Sequence, residues 1–233
     1  MNELVDSKKR VRQREISSRY IERPVNFLIK HNFTPNSLSL IGFTLSLIGS
    51  FLIAFGWMYA SLWFSWIVPV FIGLAGTFDL LDGEVARRTG KETPAGAYLD
   101  SNLDRLSDAL LILGLIYGGL IDYLLGYIIL FLVIMISYTR SRAENEGVNM
   151  KGIGFMERAE RILFLLFTII FELIFYFSSL LIFGEVFTVS IPFLTRIRVT
   201  PVFLIGISIF ILTLVYTIIQ RLSFTFKNLN KKS

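Results

Sequence analysis

Cysteine is absent from the 233 residues, and histidine occurs once, as His31. Disulfides, thiolate metal sites and cysteine nucleophiles are therefore excluded, and imidazole metal sites and His–Asp relays nearly so. Charge is also scarce: 18% of residues are charged, against about 25% in an average soluble domain. Apolar types make up 54%, and they are gathered into runs. That distribution argues against a soluble globular domain. No apolar leader opens the chain, so a cleavable signal peptide is not expected. What remains for chemistry is carboxylates, hydroxyls, Lys and Arg, and a hard metal.

A membrane-spanning helix needs about 20 mainly apolar residues. Runs at 37–57, 62–78, 123–138, 162–183 and 199–219 are clear. A sixth, 109–121, is too short unless its helix begins near Gly96 and passes through Asp100, Asp104 and Asp108. The expected architecture is thus all-α and polytopic, with six spans, the third polar in its first half. Residues 11–31 read as an amphipathic helix on the membrane surface, with Ile16, Tyr20, Phe27 and Leu28 on one face and Pro24 bending or restarting it. A disordered basic tail is the alternative for residues 1–12. The chain then divides into a basic tail with the interfacial helix (1–33), the membrane domain (34–225) and a basic C-terminal tail (226–233).

Basic residues set the orientation. They crowd residues 1–33, the turn after span two (Arg87, Arg88, Lys91), the segment after span four (Arg140, Arg142, Lys151, Arg158, Arg161) and the C-terminus (Arg221, Lys227). With six spans these fall on one side, expected to be the cytoplasmic face of the cell membrane, together with both termini. Only Arg196 and Arg198 depart from the pattern. Trp57, Tyr59, Trp63 and Trp66 read as an aromatic belt at the opposite surface.

Carboxylates concentrate between residues 79 and 108. Asp79 and Asp82 are i, i+3, and Asp100 and Asp104 are i, i+4, so each pair shares a helix face. A short turn with Gly90 and Pro94 makes the two helices antiparallel, which lets the acidic faces meet. Asp108 extends the second face by a turn. A carboxylate facing lipid costs several kcal/mol, so the group requires protonation, arginine partners, a water-filled cavity or divalent cations. Oxygen ligands select Mg²⁺, Mn²⁺ or Ca²⁺ over zinc, and four carboxylates balance two such ions. The small residues Gly83, Ala86 and Gly96 beside the acids allow close approach of a ligand or another backbone. Asp-x-x-Asp alone is more often a solvated helix face; the whole arrangement is not.

The string D-x-x-D-G-x-x-A-R-x8-G-x-x-x-D-x-x-x-D is filled by Asp79, Asp82, Gly83, Ala86, Arg87, Gly96, Asp100 and Asp104. It resembles the signature of the CDP-alcohol phosphotransferase family, whose six-span layout also fits. The resemblance implies transfer of a phosphatidyl-type group from a CDP-linked lipid to an alcohol, with release of CMP. It implies two divalent cations, Mg²⁺ with Mn²⁺ as the alternative, bridged by Asp79 and Asp100 and completed by Asp82 and Asp104. Asp104 would also take the acceptor's proton. Gly83, Arg87 and Thr93 would contact the CDP moiety, as would the segment Thr34-Pro35-Asn36-Ser37. Read from its residues alone, that tetrapeptide is also a helix start, with Thr34 or Asn36 as cap.

A second stretch is similar to the phosphatidylinositol-phosphate and archaetidylinositol-phosphate synthase branch. Ser137-Tyr138-Thr139-Arg140-Ser141-Arg142-Ala143-Glu144 and Glu157-Arg158-Ala159-Glu160-Arg161 carry it, with Arg140 where the branch has Lys and Ala159 where it has Pro. The implied acceptor is inositol phosphate, its phosphate held by Arg140, Arg158 or Arg161, and Arg221. Guanidinium forks suit phosphate, although positive-inside anchoring places arginines at the same helix ends. Glycerol 3-phosphate or serine is the alternative acceptor. A cation transporter would account for the aspartates, but not for Arg87, Gly83 and Gly96 at their spacing. A homodimer among membrane lipids is expected, and no nucleic-acid partner. The sequence leaves Glu172 inside span five without a role, facing a polar cavity, paired with an arginine or protonated. Asp108 is equally open, facing the acceptor or an arginine.

Overall fold

Thr34 is the residue that starts the first long helix. Its backbone is extended, its hydroxyl accepts from the Ser37 amide, and the Ser37 hydroxyl accepts from the Thr34 amide, both at 3.2 Å. This reciprocal cap satisfies two donors that a helix end leaves unpaired, and Pro35 fills the first position, where no N–H is needed. The computed structural model describes residues 21–230. Helix α1 covers residues 21–30. It is followed by α2 (Pro35–Ala54), α3 (Ile67–Thr89), α4 (Pro94–Tyr117), α5 (Tyr123–Asn145), α6 (Arg158–Phe183) and α7 (Pro201–Leu229). Two short 3₁₀ turns, Trp57–Tyr59 and Phe64–Trp66, lie between α2 and α3. Turns and irregular connections join these helices, and among the described residues one isolated β-bridge pairs Val189 with Val199.

Among the described residues, five stretches are long and apolar enough to cross a membrane: Pro35–Ala54, Phe64–Thr89, Tyr123–Asn145, Arg158–Phe183 and Pro201–Leu229. The chain is a multi-pass membrane protein. Helix α4 has 24 residues, about 36 Å at 1.5 Å per residue. Asp100, Asp104, Arg105 and Asp108 keep it out of the apolar set. The helices run past the expected spans at one end of the bundle, so Arg87, Arg88, Arg140, Arg142, Arg158 and Arg161 are helical rather than in loops. Hydropathy marks only the part of a helix that lipid touches. The polar extensions persist because Arg and Glu are good helix formers and pair along the surface, as Arg88 with Glu84 at 2.7 Å and Arg140 with Glu144 at 3.0 Å.

The expected face of the N-terminal helix needs correction. Ile16 and Tyr20 lie outside the described residues. Within α1, Val25 and Leu28 are buried, with Ile21 and Ile29, against Leu38 of α2 and Leu81 and Val85 of α3. Phe27 is off that i, i+4, i+7, i+8 register; it is 59% exposed and packs on the His31 ring. Pro24 does not end the helix.

Helix α2 packs against both α3 and α4, and glycines set how closely. A Cβ on Gly118 would lie 2.5 Å from the Ile53 carbonyl oxygen, and one on Gly114 2.7 Å from that of Ser50. These are backbone-to-backbone contacts that no larger residue permits. At this end of the bundle Glu172 is fully buried. It accepts from the Tyr59 hydroxyl at 2.6 Å and from the Thr200 amide and hydroxyl at 3.1 and 2.5 Å. Its partners are thus a turn and the start of α7, not an arginine. Burial, and next the Glu172 carboxylate, hold the Tyr59 phenol well above its ordinary range, so it remains a donor. Of the expected aromatic belt, Trp63 is open to the surroundings, while Tyr59 and Trp66 pack on the core.

Candidate active site

Gly90 stops α3 in a left-handed conformation, with φ 63°. Thr93 then caps α4, its hydroxyl accepting from the Gly96 amide at 3.0 Å. This short reversal brings the last turns of α3 against the first turns of α4, as the spacing of the aspartates requires. Asp79, Asp82 and Asp100 each offer an oxygen, all within 4.8 Å of one another. Asp82 is buried and the other two partly so. Asp104 stands outside this triplet. Its Oδ1 lies 2.8 Å from Arg158 Nη1, which also pairs with Asp79. Three of the expected ligands therefore converge directly, and a guanidinium ties the fourth to them.

The donor set fits a hard divalent cation. It is all carboxylate oxygen. Five acids (Asp79, Asp82, Asp100, Asp104, Asp108) face two guanidiniums (Arg158, Arg161), so negative charge is in excess there.

Two cavities flank the carboxylates. One, of about 470 Å³, is lined by Pro35, Asn36, Gly83, Arg87 and Thr93 together with Asp82 and Asp100. It gathers the residues expected to contact CDP, except Thr34 and Ser37, which are engaged in capping α2. Lys91 joins this wall without having been expected there. A Cβ on Gly83 would meet only the Arg87 guanidinium, at 3.4 Å, so the glycine opens the cavity rather than easing helix packing. A Cβ on Gly96 would come within 3.1 Å of the Thr93 hydroxyl and 3.3 Å of Asn36; here small size keeps two segments together. Arg87 is exposed and held by Glu84 at 2.8 Å.

The second cavity, of about 510 Å³, is lined by Arg140, Arg158, Arg161 and Arg221, and also by Asp100 and Asp104. All the expected acceptor arginines are thus brought together, with Arg105 as an addition. Their partners differ. Arg140 pairs with Glu144. Arg161 is buried against Asp108 at 2.6 Å. Arg221 donates to the Ile136 and Ile153 carbonyls at 2.6 and 3.0 Å. Ser39, which spacing did not single out, donates to Asp82 at 2.5 Å. Its position four residues after Pro35, on the same helix face, was the available clue.

Residues 32–218 match the family described as CDP-alcohol phosphatidyltransferase. The chain belongs to that family. As a CDP-alcohol phosphatidyltransferase it is an enzyme, and the transporter reading falls. It is similar to the archaetidylinositol phosphate synthase of Pyrococcus horikoshii, 37% identical over 153 residues, 65% of this chain and 77% of the relative. The corresponding synthase of Methanothermobacter thermautotrophicus is 45% identical over 95 residues, 41% of this chain and 48% of the relative. The phosphatidylinositol phosphate synthase of Mycobacterium marinum is 34% identical over 146 residues, 60% of this chain and 59% of the relative. Among solved structures, this phosphatidyltransferase resembles the Mycobacterium tuberculosis phosphatidylinositol phosphate synthase with CDP-DAG bound. The TM-score is 0.63 at 28% identity, over 89% of this chain and 94% of that one. A second structure of that synthase, in complex with manganese and citrate, gives TM-score 0.63 and 28% identity over 88% of each chain.

Proposed function

We propose that the enzyme transfers the phosphatidyl or archaetidyl group of a CDP-linked lipid to inositol phosphate, releasing CMP and a phosphatidylinositol-phosphate-type lipid. The observation that carries this reading is a cavity lined by four arginines of α5, α6 and α7 that meets the cavity beside Gly83 and Arg87 at Asp100, which lines both. A neutral acceptor has no use for that charge; a phosphate does.

Asp79, Asp82, Asp100 and Asp104 would hold the divalent cations, Mg²⁺ or Mn²⁺. When bound, these supply neutralisation of the pyrophosphate and of the charge growing on departing CMP. The chain's own residues do the rest. Asn36, Gly83, Arg87 and Thr93 bind the CDP moiety, where the amides opening α4 face a phosphate favourably. Arg140, Arg158, Arg161 and Arg221 fix the acceptor by its phosphate and turn its hydroxyl toward the lipid phosphorus. Asp104, which lines the arginine cavity beside Asp100, receives the hydroxyl proton as the new P–O bond forms and the bond to CMP breaks. The site would face the cytoplasm of the cell membrane, on the side where the basic helix ends gather.

The test is CMP release from CDP-lipid offered inositol phosphate, glycerol 3-phosphate and serine side by side. Inositol phosphate is expected to be used at least tenfold better than either. Serine or glycerol 3-phosphate used equally well would overturn the assignment.

A further inference from the structure

Asp108 stands one helical turn beyond Asp104 on α4, and nothing in the reaction above uses it. Its side chain is buried and touches two guanidinium groups. One carboxylate oxygen accepts from Arg161 Nη2 at 2.6 Å, and the other lies 3.7 Å from Arg158 Nε. Arg158 reaches back from there to Asp79 and Asp104. Both arginines line the basic cavity. Each also keeps a buried Nε with no hydrogen-bond partner in the protein, and Arg161 as a whole is only 4% exposed. Two cations on one cavity wall repel, and a buried guanidinium is costly unless an anion compensates it. The carboxylate between them answers both requirements. It fixes the direction of Arg161 by a hydrogen bond and draws the Nε edge of Arg158 toward α4 by charge alone.

We infer that Asp108 is a positioning residue, holding Arg158 and Arg161 as a two-pronged receptor for the acceptor's phosphate and acting on the reaction only through them. The inference deepens the function proposed above and rests on that acceptor carrying phosphate. A purely structural ion pair would hold the helices together equally well, but would leave ligand affinity to other residues.

The test uses the full chain in detergent micelles, with CMP present to fill the nucleotide side. Inorganic phosphate and inositol phosphate are titrated by calorimetry beside steady-state kinetics. Asp108→Asn keeps the size of the side chain and removes its charge. It is expected to weaken both ligands at least tenfold and to raise the acceptor KM in proportion. The CDP-lipid KM should stay within twofold of wild type; the melting temperature should fall, because a buried pair is broken, so binding and kinetics are compared well below it. Asp108→Glu keeps the charge but displaces it by a methylene; it should fold as well as wild type and lose phosphate affinity several-fold, less than the Asn variant. The losses from Asp108→Asn and Arg161→Gln should combine less than multiplicatively. Wild-type phosphate affinity in both Asp108 variants overturns the inference, as does an equal fall in stability and in both substrate affinities. The acceptor reading is separable. Wild-type protein that binds phosphate yet releases no CMP with inositol phosphate removes that reading and leaves the Asp108 comparison intact. Wild-type protein that binds no phosphate overturns the inference.

Discussion

Ser39 and Asp82 sit 43 positions apart and share a 2.5 Å hydrogen bond. The aspartates themselves are legible in the sequence, because i, i+3 and i, i+4 spacing places them on helix faces without knowledge of the fold. Ser39, Arg158 beside Asp79 and Asp108 beside Arg161 are not, because their partners are chosen by how helices cross. Two outcomes belong to this scale. Ser39→Ala removes a group that orients a proposed ligand; such losses cost 10- to 100-fold in metal affinity or activity. The Mg²⁺ concentration giving half-maximal CMP release should rise about tenfold, and a chelator titration of the purified enzyme checks it. Asp104→Asn should lower turnover by about 10²–10⁴, the usual share of a positioned base, while CDP-lipid binding stays near wild type. Near-normal turnover would remove Asp104 as the proton acceptor.

Helix ends carry most of what the sequence misplaces. Apolar periodicity located the spans but stopped where lipid contact stops, so Arg140 and Arg158 were expected in a connecting segment and instead stand on α5 and α6. The register of α1 was missed by one residue around the helix at Phe27, since residues 21–30 offer apolar positions on more than one face and only packing on α2 and α3 selects among them. The Thr34 cap was legible, because a hydroxyl before Pro and three residues ahead of a second hydroxyl is a helix start in its own right. That dual reading can be separated. Thr34→Ala should cost about 1 kcal/mol of stability, read from thermal unfolding in micelles, with the CDP-lipid KM within twofold of wild type. A tenfold rise in that KM would place Thr34 in nucleotide binding instead.

For the molecule as a whole, the six-span reading turns on α4, which is long enough but half polar. Orientation can be read directly because the chain contains no cysteine, so any thiol introduced is the sole reporter. Lys91→Cys should react with an impermeant maleimide only after the cytoplasmic face is opened, and Trp63→Cys, an exposed position, from the outside of intact cells. Labelling of both from the same side would contradict the single crossing, by α3, that lies between them.

One wall is common to both cavities: Asp100 lines each. The nucleotide and the incoming hydroxyl would then flank a single side chain, on opposite sides of the lipid phosphorus, the arrangement of one in-line displacement. On that geometry, a donor made chiral at phosphorus with isotopic oxygen or sulfur yields product of inverted configuration.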